Sequence, residues 1–249
     1  MFQKRIRLAN TVICVESTMS MPLGGYLPMF ETEEESHVRI VVSYAQLGEE
    51  VGYGKVEETP DGYSVVIGEG VYPELSVRQI LTLLPLESIL MKRGSVILHA
   101  CYVLHQGQAI LFSGPSGIGK STQGSLWESA GEGVIINGDR AILTPLEDGI
   151  QVDSFYLCGS SKICTNVTAP LRAIVLLDKG PSNIISVPSP LQRFKQVISQ
   201  MSYHTDNTDH QIRITGLAEK LLRQADVLHF ACRKDNSAFN CLKDYLYCK

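Results

Sequence analysis

No apolar run in the 249 residues approaches the ~18 needed to cross a membrane as a helix. The first residues, Met1 to Leu8, hold charges with no apolar stretch behind them, so the form of a secretory leader is missing. Both absences predict a cytoplasmic protein with no membrane partner. Basic stripes are missing too: 22 Lys and Arg stand against 26 Asp and Glu, for a net charge of −4. That balance argues against nucleic acid as the main partner and leaves room only for a local basic pocket. There is no Cys-x-x-Cys pair. The seven cysteines are scattered and odd in number, which fits reduced thiols better than a disulfide framework or a zinc site. Asn166-Val-Thr168 matches a glycosylation acceptor, which means little without a leader. Internal repeats and low-complexity linkers are also absent.

What is present is ordinary globular material, 44% hydrophobic and 19% charged. A chain of this length buries roughly 70–75% of its unfolded surface, enough for one domain with a small accessory unit. Residues 1–93 read as that unit, β-rich and ending in a connecting helix. Residues 37–44 and 63–67 have strand composition, with turn chemistry at Thr59-Pro-Asp-Gly62 between them. Glu31 to Glu35 reads as a solvated acidic loop. Apolar residues at helical spacing run from Leu75 to Leu84 with Ser76 as N-cap; Pro85 breaks the helix, which resumes to Met91.

Residues 94–249 read as the main α/β domain. Val96 to Leu104 and Ala109 to Ser113 predict an antiparallel hairpin, with His105 exposed in its turn. A helix is expected over Lys120 to Ala130. Short strands follow at 134–136, 141–143, 150–153 and 173–177. Ser189 caps a helix that starts at Pro190, and a further helix covers Gly216 to Gln224. The strand 227–232 and a last helix capped by Asp235 or Asn236 close the chain. His204, Asp206, Asp209 and His210 cluster in sequence but match no metal template, and read as a polar connection between helices.

The chemistry lies in Gly114-Pro115-Ser116-Gly117-Ile118-Gly119-Lys120-Ser121, a match to G-x-x-x-x-G-K-[ST], followed by Thr122. Glycines let successive backbone N–H groups turn inward around a phosphate. The helix that follows adds the partial positive charge of its N-terminus. Lys120 is placed to reach the β- and γ-phosphates, and Ser121 to offer its hydroxyl to Mg²⁺. The setting strengthens the match, since the motif sits between a predicted strand and a predicted helix. The expected cofactors are therefore ATP and Mg²⁺. A magnesium site also wants a carboxylate. Asp139 follows the apolar strand Val134-Ile-Ile136 as such a residue should. The same stretch also reads as a plain hairpin with an Asn-Gly turn, whose tip would place Asp139 well. Arg140 would then stand near the phosphates, as a clamp or as a surface charge.

Leu98-His-Ala100, the hairpin, Gly114 to Thr122 and Asp139-Arg140 together resemble the catalytic domain of HPr kinase/phosphorylase and its shorter bacterial relatives. The resemblance covers roughly Val96 to Leu177. It implies an HPr kinase-like P-loop fold with a mixed sheet, a core shared with ATP-dependent phosphoenolpyruvate carboxykinase, and a plausible homo-oligomer. It implies transfer of the γ-phosphoryl group of ATP to a hydroxyl acceptor, a serine of a peptide or protein, or a small molecule. His99 matches a histidine beside the phosphate loop in that family, and Asp139 the second of two adjacent aspartates. The first is replaced here by Gly138. Asp139 could do both jobs, His99 could substitute, or the chain could leave ordinary alcohols untouched. The alternatives are thus a nucleotide-binding accessory or regulatory protein, or a phosphotransferase using pyrophosphate. In the loop from Tyr156 to Thr168, Lys162 could stabilise the transferring group and Ser160 or Ser161 bind phosphate; a long surface loop is the plainer reading. Arg172 could reach the same place or simply face solvent.

Overall fold

The computed structural model describes residues 1–45, 51–68, 70–203 and 207–248. The chain is mixed α/β and divides into two units, Met1–Ile89 and Leu90–Lys249. In the first unit β1 (Phe2–Leu8) and β2 (Thr11–Ser17) form an antiparallel hairpin, and β3 (Val38–Tyr44) runs parallel to β2. β4 (Lys55–Thr59) and β5 (Gly62–Ile67) form a second hairpin, and β5 lies parallel to β3, giving a mixed sheet in the order β1-β2-β3-β5-β4. The expected turn at Thr59–Gly62 exists, but it joins β5 to β4 rather than to β3. Sequence reading missed β4 because its KVEET has no buried residue. Gly62 is required by close approach. At φ +150° a first side-chain carbon there would lie 2.0 Å from the Arg39 carbonyl oxygen.

The connecting helix forms as two pieces, α1 (Val77–Leu83) and α2 (Leu86–Lys92), parted at Pro85. Ser76 closes a full capping box with Gln79, its hydroxyl accepting from the Gln79 amide and its own amide donating to the Gln79 side chain at 2.8 Å. The division between units falls inside α2, ahead of the boundary expected after residue 93.

The second unit is built on an eight-stranded mixed sheet. β6 (Val96–His105) and β7 (Gln108–Ser113) form the expected hairpin, with Ala100 opposite Ser113. Then come α3 (Lys120–Ser129), β8 (Val134–Asn137), β9 (Arg140–Leu146), β10 (Gly149–Ser154), β11 (Thr168–Lys179), β12 (Ile184–Ser186), α4 (Pro190–Ile198), α5 (Thr208–Gln224), β13 (Val227–Cys232) and α6 (Asn236–Tyr247). The order is β10-β9-β6-β7-β11-β13-β12, with β8 also on β6. β7, β11 and β13 are mutually parallel.

Alternate residues of the central strands feed opposite cores. Cys101, Val103, Ile110, Phe112, Ala173 and Val175 pack with Trp127 of α3 and with Phe239 and Leu242 of α6. Ala100, Tyr102, Ala109, Leu111, Ile174 and Leu176 pack with Val197 of α4 and with Ile214, Ala218 and Leu221 of α5. A sheet covered on both faces needs nearly continuous apolar strands, which is why β6, β7 and β11 read so plainly.

Three expectations are corrected. β8 and β9 do not form a hairpin. Both pair antiparallel with β6, Asn137 opposite Tyr102 and Arg140 opposite His99, so they are two halves of one interrupted strand. His105 is not exposed. It is buried as the last residue of β6, its ring edge-on to Trp127 and to Tyr247. The connection expected around His210 is helical from Thr208, with Asn207 as its cap accepting from the His210 amide, so Asp209 and His210 lie in the first turn of α5. His204 and Asp206 lie outside the described residues. Among the described residues no helix is long and apolar enough to cross a membrane.

Candidate functional site

β7 delivers the chain into the glycine loop, and α3 receives it. Gly114, Gly117 and Gly119 adopt φ values of +142°, +75° and +122°, a region where a side chain would be strained. Gly119 is the N-cap of α3 and supplies no side-chain hydrogen bond, which leaves the first amides of the helix to a ligand. Lys120 is largely buried. Its ammonium donates to the carbonyls of Gly114 at 2.8 Å and Pro115 at 3.2 Å, which holds it across the loop. Burial lowers its pKa, partly offset by the Asp139 carboxylate.

His99 on β6 and Asp139 at the break between β8 and β9 both line the cleft beside this loop. Ser113, the last residue of β7, donates its hydroxyl to the His99 carbonyl at 2.8 Å and so ties the histidine's backbone to the start of the loop. Asp139 sits at the break between β8 and β9. Asn137 makes that break. Its side-chain oxygen accepts from the amides of Asp139 and Arg140, each at 2.9 Å, and its side-chain nitrogen donates to the Phe155 and Leu157 carbonyls. The Asp139 carboxylate then stands 3.2 Å from His99 Nε2 and 3.3 Å from Arg140 Nε. Burial, helped by the Lys120 ammonium, pulls the His99 pKa below its ordinary 6.5, and Asp139 only partly opposes this. The imidazole is neutral at pH 7.

A cleft of about 270 Å³ joins these groups. It is lined by His99, Ser116, Gly117, Gly119, Lys120, Ser121, Thr122, Gly138 and Asp139, together with Cys158, Ser160, Ser161 and Lys234. The loop at 158–162 is a fixed wall of this cleft. A short helical turn at Gly159–Ser161 packs so closely on the strand break that two glycines interlock. A side-chain carbon at Gly138 would lie 2.3 Å from the Ser161 hydroxyl oxygen, and one at Gly159 2.8 Å from the Asp139 carboxyl carbon. Ser161 therefore occupies the space that a side chain at position 138 would need. Its hydroxyl donates to the Cys158 carbonyl at 2.6 Å.

Not every expected residue lines this cleft. Arg140 borders a second, adjoining cleft instead. Lys162 is exposed with φ +55° and is not among the lining residues. Arg172 is engaged elsewhere, paired with Asp226 at 2.9 Å and donating to the Leu246 carbonyl at 2.6 Å. Lys234 was missed. It follows β13, and its side chain comes near Gly119 of the loop. The signal was available, because ligands of such sheets gather at the carboxyl ends of parallel strands and β13 runs parallel to β11 and β7.

The residues fit a magnesium nucleotide. Glycines with positive φ, an uncapped helix start and two lysines suit a polyphosphate, and Ser121 with Asp139 supplies a hydroxyl and one carboxylate. Among the described residues no group of three or more His, Cys, Asp or Glu could hold a metal by itself. A cation here would thus share its shell with phosphate oxygens and water, as Mg²⁺ commonly does. The chain matches no protein-family model and no curated protein sequence.

Proposed function

We propose that this chain is a phosphotransferase with an HPr kinase-like P-loop domain, moving the γ-phosphoryl group of ATP to an acceptor hydroxyl. The observation that carries the reading is the placement of the His99–Asp139 pair on the cleft formed by the glycine loop and Lys120. Loop amides and Lys120 would bind the phosphates, with Lys234 adding charge beside Gly119. Mg²⁺, held by Ser121 and Asp139, would neutralise charge on the transferring group. The neutral imidazole and the carboxylate form a pair able to accept the hydroxyl proton, in place of the carboxylate that Gly138 lacks. Phosphoryl transfer depends mainly on positioning and charge stabilisation, so one missing base slows it rather than forbidding it. Base assistance is typically worth ~10²–10⁴-fold.

Gly138 also favours a second reading, a nucleotide-binding accessory protein with little transfer activity. Phosphorus NMR of the chain with Mg-ATP and a pool of serine, threonine, hydroxy acids, sugars and serine peptides separates the two. A new phosphoester resonance supports transfer. Mg-ATP binding with no product from any acceptor supports the accessory role. Lys120→Ala should weaken Mg-ATP binding on the order of a hundredfold, the scale of losing charge-assisted hydrogen bonds. Undiminished affinity in calorimetry would remove the glycine loop from the site.

A further inference from the structure

The second cleft measures about 320 Å³ and is lined by His99, Asp139, Arg140 and the segment Ser199-Gln200-Met201-Ser202. It shares two residues with the phosphate cleft, His99 and Asp139. The pair proposed to take a proton therefore lines both clefts, where the two adjoin. Transfer requires the attacking oxygen to reach phosphorus directly and in line with the leaving oxygen, so an acceptor hydroxyl belongs beside these two residues, where the clefts adjoin.

The far wall is built to hold its distance. The His99 amide donates to the Gln200 carbonyl at 2.8 Å and the Ser202 amide to the Ile97 carbonyl at 2.9 Å, while Met201 bridges to Leu98. The segment that ends α4 is thus bonded to the same strand that bears His99. Ser199 donates its hydroxyl to the Gln196 carbonyl and accepts from the Gln200 side chain, which sets both polar groups in place.

The lining also speaks to charge. Arg140 is the one cation on it. Its guanidinium has five N–H donors. Nε is spent on Asp139 at 3.3 Å, and the others have no hydrogen-bond partner among the described residues. The side chain is anchored by that bond and lies over the Phe155 ring at 6.0 Å. A planar fork of free donors beside a proton-accepting pair suits a carboxylate or phosphate held bidentately. The volume is at the small end of the ~300–1,000 Å³ common for small-molecule sites, which suits a compact acceptor.

We infer that this second cleft seats the phosphoryl acceptor, and that the acceptor is a small hydroxy compound carrying an oxyanion close to its hydroxyl. Arg140 grips the oxyanion and turns the hydroxyl toward His99 and Asp139. The acceptor oxygen forms the new bond to phosphorus, and the bond from phosphorus to the bridging oxygen of ATP breaks. ADP leaves with that electron pair, and the hydroxyl proton passes to the His99–Asp139 pair. The occupant's role as acceptor rests on the phosphotransfer reading; the oxyanion preference rests on Arg140 and the cleft.

Ligand-observed proton NMR on the full chain tests this with three probes: glycerate, glycerol 3-phosphate and glycerol. Glycerate or glycerol 3-phosphate should show binding and glycerol should not; which of the two binds identifies carboxylate or phosphate as the anion. Arg140→Gln should weaken that binding about tenfold or more. Ser202→Phe, which fills the cleft without changing charge, should abolish it. Lys120→Ala, in the other cleft, should leave it in place. Binding of glycerol as tight as glycerate, no binding of either anion, or loss in Lys120→Ala but not in Arg140→Gln would each overturn the assignment. Calorimetry with Mg-ATP runs separately. Anion binding by a chain that does not bind Mg-ATP would end the acceptor role together with the phosphotransfer reading, whereas Mg-ATP binding without anion binding would end this inference alone.

Discussion

His99 is where protonation and function meet. Its pKa is depressed by burial and by the Lys120 ammonium, so the folded chain holds it neutral below the pH at which a free histidine charges. The unfolded chain takes up that proton first. The contribution of neutral His99 to stability is therefore complete above about pH 6.5 and is lost as pH falls through the lower folded value. His99→Gln should flatten this part of a stability-against-pH curve from chemical denaturation. In the transfer assay, the acid limb of wild-type activity should lie below pH 6.5, and His99→Gln should abolish it while Mg-ATP affinity persists. An unmoved limb assigns the proton to another group. The thiols make a second residue-level case. Burial pushes Cys101 up to about 12, and Cys164 and Cys232 up to about 11, while Cys248 is exposed. The thiolate is the reactive form. A thiol reagent at pH 8 should label Cys248 within minutes and Cys101 only on unfolding, as peptide mapping by mass spectrometry would show.

At the scale of elements, the seat of the 158–162 turn on the β8–β9 break is the feature with most at stake. Gly138→Asp would create two adjacent carboxylates, but its first carbon would meet Ser161 at 2.3–2.4 Å, atoms too near the backbone to swing aside. The single change should destabilise the chain by about 1–3 kcal/mol, the usual cost of overpacking. Adding Ser161→Gly should recover most of that loss in denaturant titrations. Equal stability of the single and double variants would show that the turn yields freely. The interlock was not legible in the sequence. Gly138 and Ser161 were noticed separately, and no local pattern joins residues on different elements. The break at Gly138-Asp139 was misread for a related reason, because Asn-Gly between apolar runs is the usual signature of a hairpin. Which strand those runs pair with is decided by β6, some forty residues earlier. The glycine loop, β6, β7 and α6 were legible because periodicity, caps and turn chemistry all act within a few residues. Among the strands missed, β1 and β4 carry charged, half-exposed sequences whose pairing supplies what their composition does not.

For the molecule as a whole, every residue of both clefts, from His99 to Lys234, belongs to the unit Leu90–Lys249. Damage within Met1–Ile89 should leave ligand affinity intact wherever the second unit remains folded. Gly62→Ala is a severe local lesion, with a 2.0 Å approach to the Arg39 carbonyl and a disfavoured φ. It should lower the melting temperature of the first unit and leave Mg-ATP affinity at low temperature within about twofold of wild type, since every residue lining the clefts belongs to the other unit. Mg-ATP at a hundred times its Kd should stabilise the unit that binds it by about 2.7 kcal/mol. Calorimetric scans with and without ligand would show which transition moves; movement of the Gly62-sensitive transition alone would contradict this placement.

The interlocked glycines also constrain descent. A chain carrying Ser161 against Gly138 cannot gain an acidic side chain at 138 in one step without passing through a strained protein. Trimming residue 161 first makes the second change tolerable, so the order of substitutions matters. An acidic side chain at 138 is thus held out by a neighbour, and the way to it runs through position 161.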